Sequence, residues 1–278
     1  MIVDCHTHVW ANVKQLGDGA AECMRSRGGE MSALPSEHAA AARCVDKTLV
    51  LAFRSVRLGA AVPNDYVAEH VARYKDKFVG VAAVDPTERS APSDARDLLD
   101  RQEFRGLTVS PVAQGFHPAD SRAMAIYELA QDRGVPVFFQ QGPCMPAQAA
   151  MEHGRPILLD QVAREFPGLT IVVCDMGHPW CDECVVLMRK HQRVFGDISA
   201  LLRRPWQAYG SLLLAWQIEA IDRVLFGSGF PYLTAAQAIE GIYRLQEMIQ
   251  GSNMPIVPRE ALRSIVERDA LAALGMAR

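Results

Sequence analysis

The chain opens on an apolar run, Met1-Ile2-Val3, that turns polar at Asp4-Cys5-His6-Thr7-His8. Further apolar runs follow at residues 45–53, 78–84, 104–110, 135–139, 169–175, 193–199 and 224–227. Most are short and continuous rather than alternating, the pattern of strands buried on both faces of a parallel sheet. Between them, apolar residues recur at helical spacing. Over residues 64–75, Tyr66, Val67, His70, Val71 and Tyr74 share a face, with Asn64 placed to cap. Helices are likewise predicted at 94–101 (capped by Ser93), 120–133 (ended by Gly134), 156–166, 180–190, 205–221, 235–250 and 258–274. Residues 11–43, rich in Gly, Ala and Ser, read as a long loop with a helix near 35–42. A loop of that length after a strand often serves as a lid or substrate wall.

Strict alternation of strands and helices predicts an α/β fold, a (β/α)₈ TIM barrel. A doubly wound open sheet is the alternative, but it usually carries a Gly-rich phosphate turn after its first strand, and none follows residue 4. With no internal repeat and no low-complexity linker, residues 1–278 are expected to form a single domain.

Composition narrows the classes of function. The chain is 49% hydrophobic and 22% charged, with a net charge of −3 and acids and bases mixed along its length. Nothing resembles a basic nucleic-acid face or a polybasic membrane segment. No apolar run reaches transmembrane length, and the start lacks a basic segment followed by an apolar one, so a cytoplasmic location is expected. The seven cysteines are scattered and odd in number, which favours free thiols. Cys181 and Cys184 form a Cys-x-x-Cys, but it falls inside a predicted helix and without a second pair, which argues against both redox work and structural zinc.

If the fold is a barrel, its chemistry lies where the strands end. Those ends carry Asp4, His6 and His8; Arg54; Thr108 and Ser110; Gln140 and Gln141; Asp175 and His178; Asp197 and Ser199; Ser228 and Gly229. Residues i and i+2 of an extended chain point the same way, so His6 and His8 can converge on one divalent ion. Asp4 either orients one of these histidines or closes the strand end by hydrogen bonding. Arg54 could clamp a substrate carboxylate, or form a structural ion pair. His178, in a tight Gly-His-Pro turn, and Asp197 are candidate proton carriers; a turn hydrogen bond and an Asx cap are the plainer alternatives. Trp10, Phe116 and Trp180 could wall a pocket or simply pack the core.

Several stretches together resemble the amidohydrolase superfamily, in the amidohydrolase-related branch that holds aminocarboxymuconate-semialdehyde decarboxylase and the resorcylate-type decarboxylases. They are Asp4-Cys5-His6-Thr7-His8, Val62-Pro63-Asn64-Asp65-Tyr66-Val67, Gly80-Val81-Ala82-Ala83-Val84-Asp85-Pro86, Gln114-Gly115-Phe116-His117-Pro118, Arg155-Pro156-Ile157-Leu158-Leu159-Asp160, Met176-Gly177-His178-Pro179-Trp180, Asp197-Ile198-Ser199-Ala200 and Leu225-Phe226-Gly227-Ser228-Gly229-Phe230-Pro231. The resemblance implies a metal-dependent enzyme in which His6 and His8 bind one divalent ion (Zn, Mn or Fe). It also implies a homodimer as one assembly, with the final helices available as an interface. It leads one to expect a His ending the fifth strand, a His ending the sixth and an Asp ending the eighth. Gln140, Asp175 and Gly229 stand there instead. Glycine can neither give nor take a proton, and an amide is a weaker ligand than imidazole.

Three readings follow. In the first, His6, His8 and Asp175 hold the ion of a hydrolase or carbon–carbon lyase, and His178, Asp197 or Asp175 moves protons. Its substrate is a small organic molecule, a carboxylate among the candidates, met by Trp10, Arg54, Phe116, Gln140 and Trp180. In the second, the two histidines and Asp175 form the facial triad of a non-haem iron oxygenase. In the third, the site is degenerate and binds a small molecule or partner without catalysis.

Overall fold

The computed structural model describes residues 1–19, 21, 31–140 and 145–277. Among the described residues are ten strands: β1 (Val3–Thr7), β2 (Lys47–Leu51), β3 (Phe53–Ser55), β4 (Ala60–Val62), β5 (Phe78–Ala83), β6 (Phe104–Val109), β7 (Val137–Phe139), β8 (Ile171–Val173), β9 (Val194–Asp197) and β10 (Val224–Leu225). Eight form one parallel sheet in the order β1-β2-β5-β6-β7-β8-β9-β10. The chain beyond β10 returns to β1 and closes the sheet: Cys5 N–H donates to Phe226 O (2.9 Å), Gly229 N–H to His6 O (2.9 Å) and His8 N–H to Phe230 O (3.0 Å). Closure leaves the parallel strands no free edge, and the architecture is the (β/α)₈ barrel that the alternating pattern predicts.

Most barrel strands contribute to two cores because they face two apolar environments. Val3, Cys5, Leu49, Leu51, Val81, Phe138, Val172, Cys174, Phe195 and Leu225 fill the barrel interior. Ala270, Leu271, Leu274 and Met276, from the last helix and its tail, pack against that cluster. The residues between them, such as Val50, Ala82, Val137, Phe139, Ile171 and Val173, pack outward on the helices. That two-sided burial is why the strands read as continuous apolar runs.

Helices occupy Pro35–Ala41, Asn64–Arg73, Ala91–Leu99, Ser121–Asp132, Leu159–Glu165, Cys181–Lys190, Pro205–Gln217, Ala235–Arg244 and Arg259–Glu267. Most lie close to their expected limits, but the one expected over 235–250 ends at Arg244, and the one expected over 258–274 breaks after Glu267 and resumes as a short helix at Ala270–Ala273. Two caps differ. Ser93 lies inside the Ala91–Leu99 helix and its hydroxyl donates back to Ser90 O. Asn64 is the first helical residue rather than a cap; its side chain instead pairs with Ala83, accepting from the N–H (2.8 Å) and donating to the carbonyl (2.9 Å). β3 and β4 form a small antiparallel hairpin that the sequence pattern does not reveal. Cys5, Cys44, Cys174, Cys181 and Cys184 are free thiols, while Cys23, Cys144 and Gln141 lie outside the described residues. Burial pushes the Cys181 thiol up to about 11 and Cys184 well above its usual value, a setting for inert packing groups rather than redox pairs. No helix of the described residues is long and apolar enough to cross a membrane.

Candidate active site

A break in β1 aims the first histidine. Asp4 pairs with Thr48 and Thr7 with Val50, so three steps on β1 match two on β2. The extra residue turns His6 into the barrel directly after Cys5, which already faces inward. An unbroken strand would send His6 to the same side as Asp4. Bulges commonly re-aim side chains at sites in this way. Thr7 then faces the helices, where its hydroxyl donates to Leu49 O (2.7 Å) and meets His38 Nε2 (2.9 Å). Asp4 closes the strand end: its carboxylate accepts from the N–H groups of Ser228 (2.8 Å) and His6 (3.4 Å).

His6 and His8 converge as the i, i+2 spacing predicts. Their Nε2 atoms lie 3.1 Å apart. The other nitrogen of each ring is committed elsewhere. His8 Nδ1 donates to Leu51 O (2.9 Å), which leaves its Nε2 with a lone pair. His6 Nδ1 lies 3.1 Å from both carboxylate oxygens of Asp197, at the end of β9.

Ser199 is the hub behind His6. Its Oγ stands 2.9 Å from His6 Nδ1, 2.9 Å from Asp175 Oδ1 and against Asp197 Oδ1. A hydroxyl has one proton to give, so it can donate to only one of these carboxylates while accepting from His6. Asp175 reaches this cluster because β8 ends at Val173 and the chain turns sharply. Asp175, Met176 and Gly177 all take left-handed backbone conformations (φ 55°, 48° and 66°). For a residue such as Met this costs about 1–2 kcal/mol. The turn brings Asp175 Oδ1 to the Ala200 N–H (3.0 Å) and the Asp175 N–H to Asp197 Oδ1 (3.2 Å).

Burial and neighbouring charge set the protonation states. Burial alone would lower His6, but the Asp197 and Asp175 carboxylates outweigh it and raise the ring to about 9. Burial and then the charge on His6 lower His8 to about 3. Burial pushes Asp197 up, yet His6 and the donated hydrogen bonds hold it below its usual value. Asp175 goes the other way, raised by burial and by the charge of Asp197 beyond what His6 offsets. Burial raises Asp4 to about 6. Without metal, a proton on His6 Nε2 is therefore shared towards the His8 lone pair.

The other sequence candidates fall at varied distances from this centre. Asp175 approaches His6 from the Nδ1 side (3.7 Å), behind the ring rather than beside the Nε2 pair. Among the described residues, the donor atoms that gather within 4.8 Å are those of His6, Cys174 and Asp197, so His6, His8 and Asp175 do not meet as a metal trio. This corrects both the hydrolase ligand set and the facial triad of the oxygenase reading. Arg54 sits on the β3–β4 hairpin, not at the barrel mouth; it is exposed and its guanidinium pairs with Glu88. Gln140 ends β7 as expected, but its amide donates to Ala52 O (2.9 Å) and Thr108 Oγ1 (2.8 Å) and serves the scaffold. Phe116 is buried in the outer core. Trp10 is almost wholly buried and its indole donates to Met31 O (3.1 Å), and it borders a hollow of about 500 Å³ with Asn12, Lys14 and Ala33. Trp180 and His178 are half-buried in the turn after Asp175, where the His178 N–H donates to Asp175 O (3.0 Å). Gly229 adopts φ +64°, and a Cβ there would stand 3.2 Å from Ser199 Cβ. Ser199 thus borders the space that an eighth-strand aspartate would need.

Sequence reasoning lists Ser199 only as a polar strand end. The Asp-x-Ser spacing, which puts both side chains beside one strand terminus, is the signal that could have found its role. Cys174 has no such signal.

A parallel barrel with a paired-histidine edge and buried carboxylates at its strand ends is the architecture of a metal-assisted TIM-barrel enzyme. The amidohydrolase profile matches residues 3–275, and the chain belongs to the amidohydrolase family. That membership supports metal-dependent hydrolysis or decarboxylation as its general chemistry. Among solved structures the chain is similar to an uncharacterized TIM-barrel protein of Bordetella bronchiseptica, with 22% identity over 99% of this chain and 98% of that one and a TM-score of 0.75. It is also similar to an amidohydrolase of Burkholderia multivorans with bound zinc (13% identity, 100% of both chains, TM-score 0.70). A third is a dihydroxybenzoic acid decarboxylase of a Polaromonas species with bound manganese and the inhibitor 2-nitroresorcinol (16% identity, 100% and 97% covered, TM-score 0.64). At these identities the likeness is one of fold. No curated protein matches the chain in sequence.

Proposed function

We propose that the protein is a metal-dependent hydrolase or decarboxylase-like lyase acting on a small, carboxylate-bearing organic molecule at the loop end of the barrel. The observation that carries this reading is the His6–His8 edge, two Nε2 atoms 3.1 Å apart with both Nδ1 atoms already engaged. Two imidazoles ligating one ion present this kind of N···N separation, and metal-ligating histidines almost always give their other nitrogen to a carboxylate or backbone carbonyl. The donor set therefore fits a divalent ion, with His6 and His8 as the protein ligands. The zinc and manganese in similar structures are consistent with it.

A divalent ion held there would polarise a substrate oxygen and acidify a bound water. The chain's own residues do the rest. Leu51 O fixes the orientation of His8, and Asp197 fixes that of His6 and supports its basicity. Asp175, raised by burial, can hold a proton behind His6, and Ser199 links it to the His6 Nδ1 side, where Asp197 stays ionised. With glycine at 229 no acid side chain stands at that position, and Asp175, Ser199 and Asp197 act on the chemistry by positioning His6 from its Nδ1 side. The oxygenase alternative is not retained, because the carboxylate it requires stands behind His6.

The test is turnover of a panel of hydroxybenzoates, other aromatic carboxylates and lactones by manganese- or zinc-loaded protein in the absence of oxygen. Release of carbon dioxide or ring-opened acid, lost in Asp197→Asn, supports the reading. Turnover that requires oxygen, or none with any metal, overturns it and leaves a binding protein.

A further inference from the structure

We propose that Lys14 and Arg57 form an anion cradle that receives a carboxylate of the ligand at the loop end of the barrel. That this ligand is the substrate rests on the functional reading above; the cradle rests on its own geometry.

Three loops, each following a barrel strand, meet there. Lys14, Gly17, Asp18 and Gly19 follow β1; Arg57, Leu58 and Gly59 form the β3–β4 turn beyond β2; Pro146 and Gln148 follow β7. Together they enclose about 290 Å³. The loops touch: a Cβ on Gly17 would come within 2.4 Å of Leu58 O, and one on Gly19 within 2.7 Å of Pro146 Cβ. Glycine is required at both positions for that approach.

The cations are arranged rather than loose. Arg57 Nε donates to Gln148 O (2.9 Å), and the guanidinium lies over Gly115, where a Cβ would be 2.8 Å from Nη1. Among the described residues its other N–H groups make no hydrogen bond. Among the described residues, neither Arg57 nor Lys14 has an acidic partner within 4.0 Å, and the Lys14 ammonium makes no hydrogen bond. Asp18 lines the same cavity, so two positive charges face one negative. A carboxylate restores the balance, and the planar guanidinium is suited to grip it. Arg54, a candidate for this task from the sequence, is paired with Glu88; Arg57 lies three residues further along the same hairpin, on its loop side. Lys14 also borders the hollow that begins at Trp10, two residues past His8. The cavity and the hollow thus share one cationic wall on the side of the barrel that carries the histidine edge. The ligand class is a small organic carboxylate, gripped by Lys14 and Arg57.

The experiment is calorimetric titration of the full chain with phthalate and with benzoate at low and high salt, repeated on Lys14→Gln/Arg57→Gln and on His6→Ala/His8→Ala. The expected result is phthalate binding that weakens with salt, falls by about tenfold or more in the Lys14/Arg57 double variant, and persists in the histidine variant. Benzoate shows the same loss in the Lys14/Arg57 double variant. Phthalate binding equal in wild type and the Lys14/Arg57 variant, or no binding by wild type, overturns the cradle. Because metal content is read separately from phthalate affinity, loss of the metal reading leaves this result standing.

Discussion

His6 Nε2 and His8 Nε2 face each other at 3.1 Å while Asp197 and Leu51 O hold the far side of each ring. The arrangement is suited to one positive centre between the two rings, either a proton or a metal ion. Most consequences of the structure follow from that relationship.

Asp197→Asn keeps the size of the side chain but removes the charge behind His6. An amide can offer its NH₂ to Nδ1 and select the wrong tautomer. Metal affinity is expected to fall about 10- to 100-fold, read by chelator competition with zinc or manganese. Unchanged affinity would show that Asp197 does not orient the ligand.

Metal must displace the His6 proton. With the metal-free ring raised to about 9, each ion bound below that pH releases about one proton. Affinity should therefore rise about tenfold per pH unit from pH 7 towards 9 and level off above it. Titrations in buffers of different ionisation enthalpy count the proton directly, and an affinity flat over this range would contradict the assigned protonation.

Gly229→Asp does not simply add a usable acid at the end of the eighth barrel strand. The residue sits at φ +64° and its Cβ would crowd Ser199 Cβ at 3.2 Å. The expected cost is about 1–2 kcal/mol from the backbone alone, seen as a lower urea midpoint, with no gain in metal affinity. Undiminished stability and tighter metal binding would show that the space for an aspartate exists.

Outside the site, His38 and His70 form a buried pair (Nδ1 to Nε2, 2.8 Å) among Phe78, Tyr74 and Phe230. Burial lowers them to about 3 and about 4. Their unfolded values lie near 6.5, so the unfolded chain binds more protons between those limits. Their stabilising contribution is intact above pH 6.5 and is lost as pH falls towards 4. In His70→Gln the amide still donates to His38 Nδ1 but cannot titrate. Its loss of stability between pH 7 and pH 5 should be smaller than that of wild type by roughly 1 kcal/mol, measured by urea unfolding at both values. Equal losses would contradict the assignment.

Most of the eight barrel strands are legible in the sequence because two-sided burial leaves a short apolar run, as in residues 78–83 and 171–173. The convergence of His6 and His8 is legible from their spacing alone. The orientation of the site is not. It depends on the extra residue between Asp4 and Thr7 and on left-handed backbone at Asp175 and Met176, neither of which has a compositional signature. Arg54 looks like a strand end because only Ala52 and Phe53 separate it from β2; the hairpin that carries it away is three residues to a strand. Gln140 is found at its predicted place, yet its amide is spent on Ala52 and Thr108, a commitment visible only once three strands are side by side.

The central claim is that the His6–His8 edge holds a divalent ion. Elemental analysis of protein purified without chelators, compared with the His6→Ala/His8→Ala variant, tests it most directly. The account predicts about one zinc or manganese ion per wild-type chain and none in the variant. A wild-type chain that stays empty when offered either metal, or a variant that keeps its ion, would contradict it.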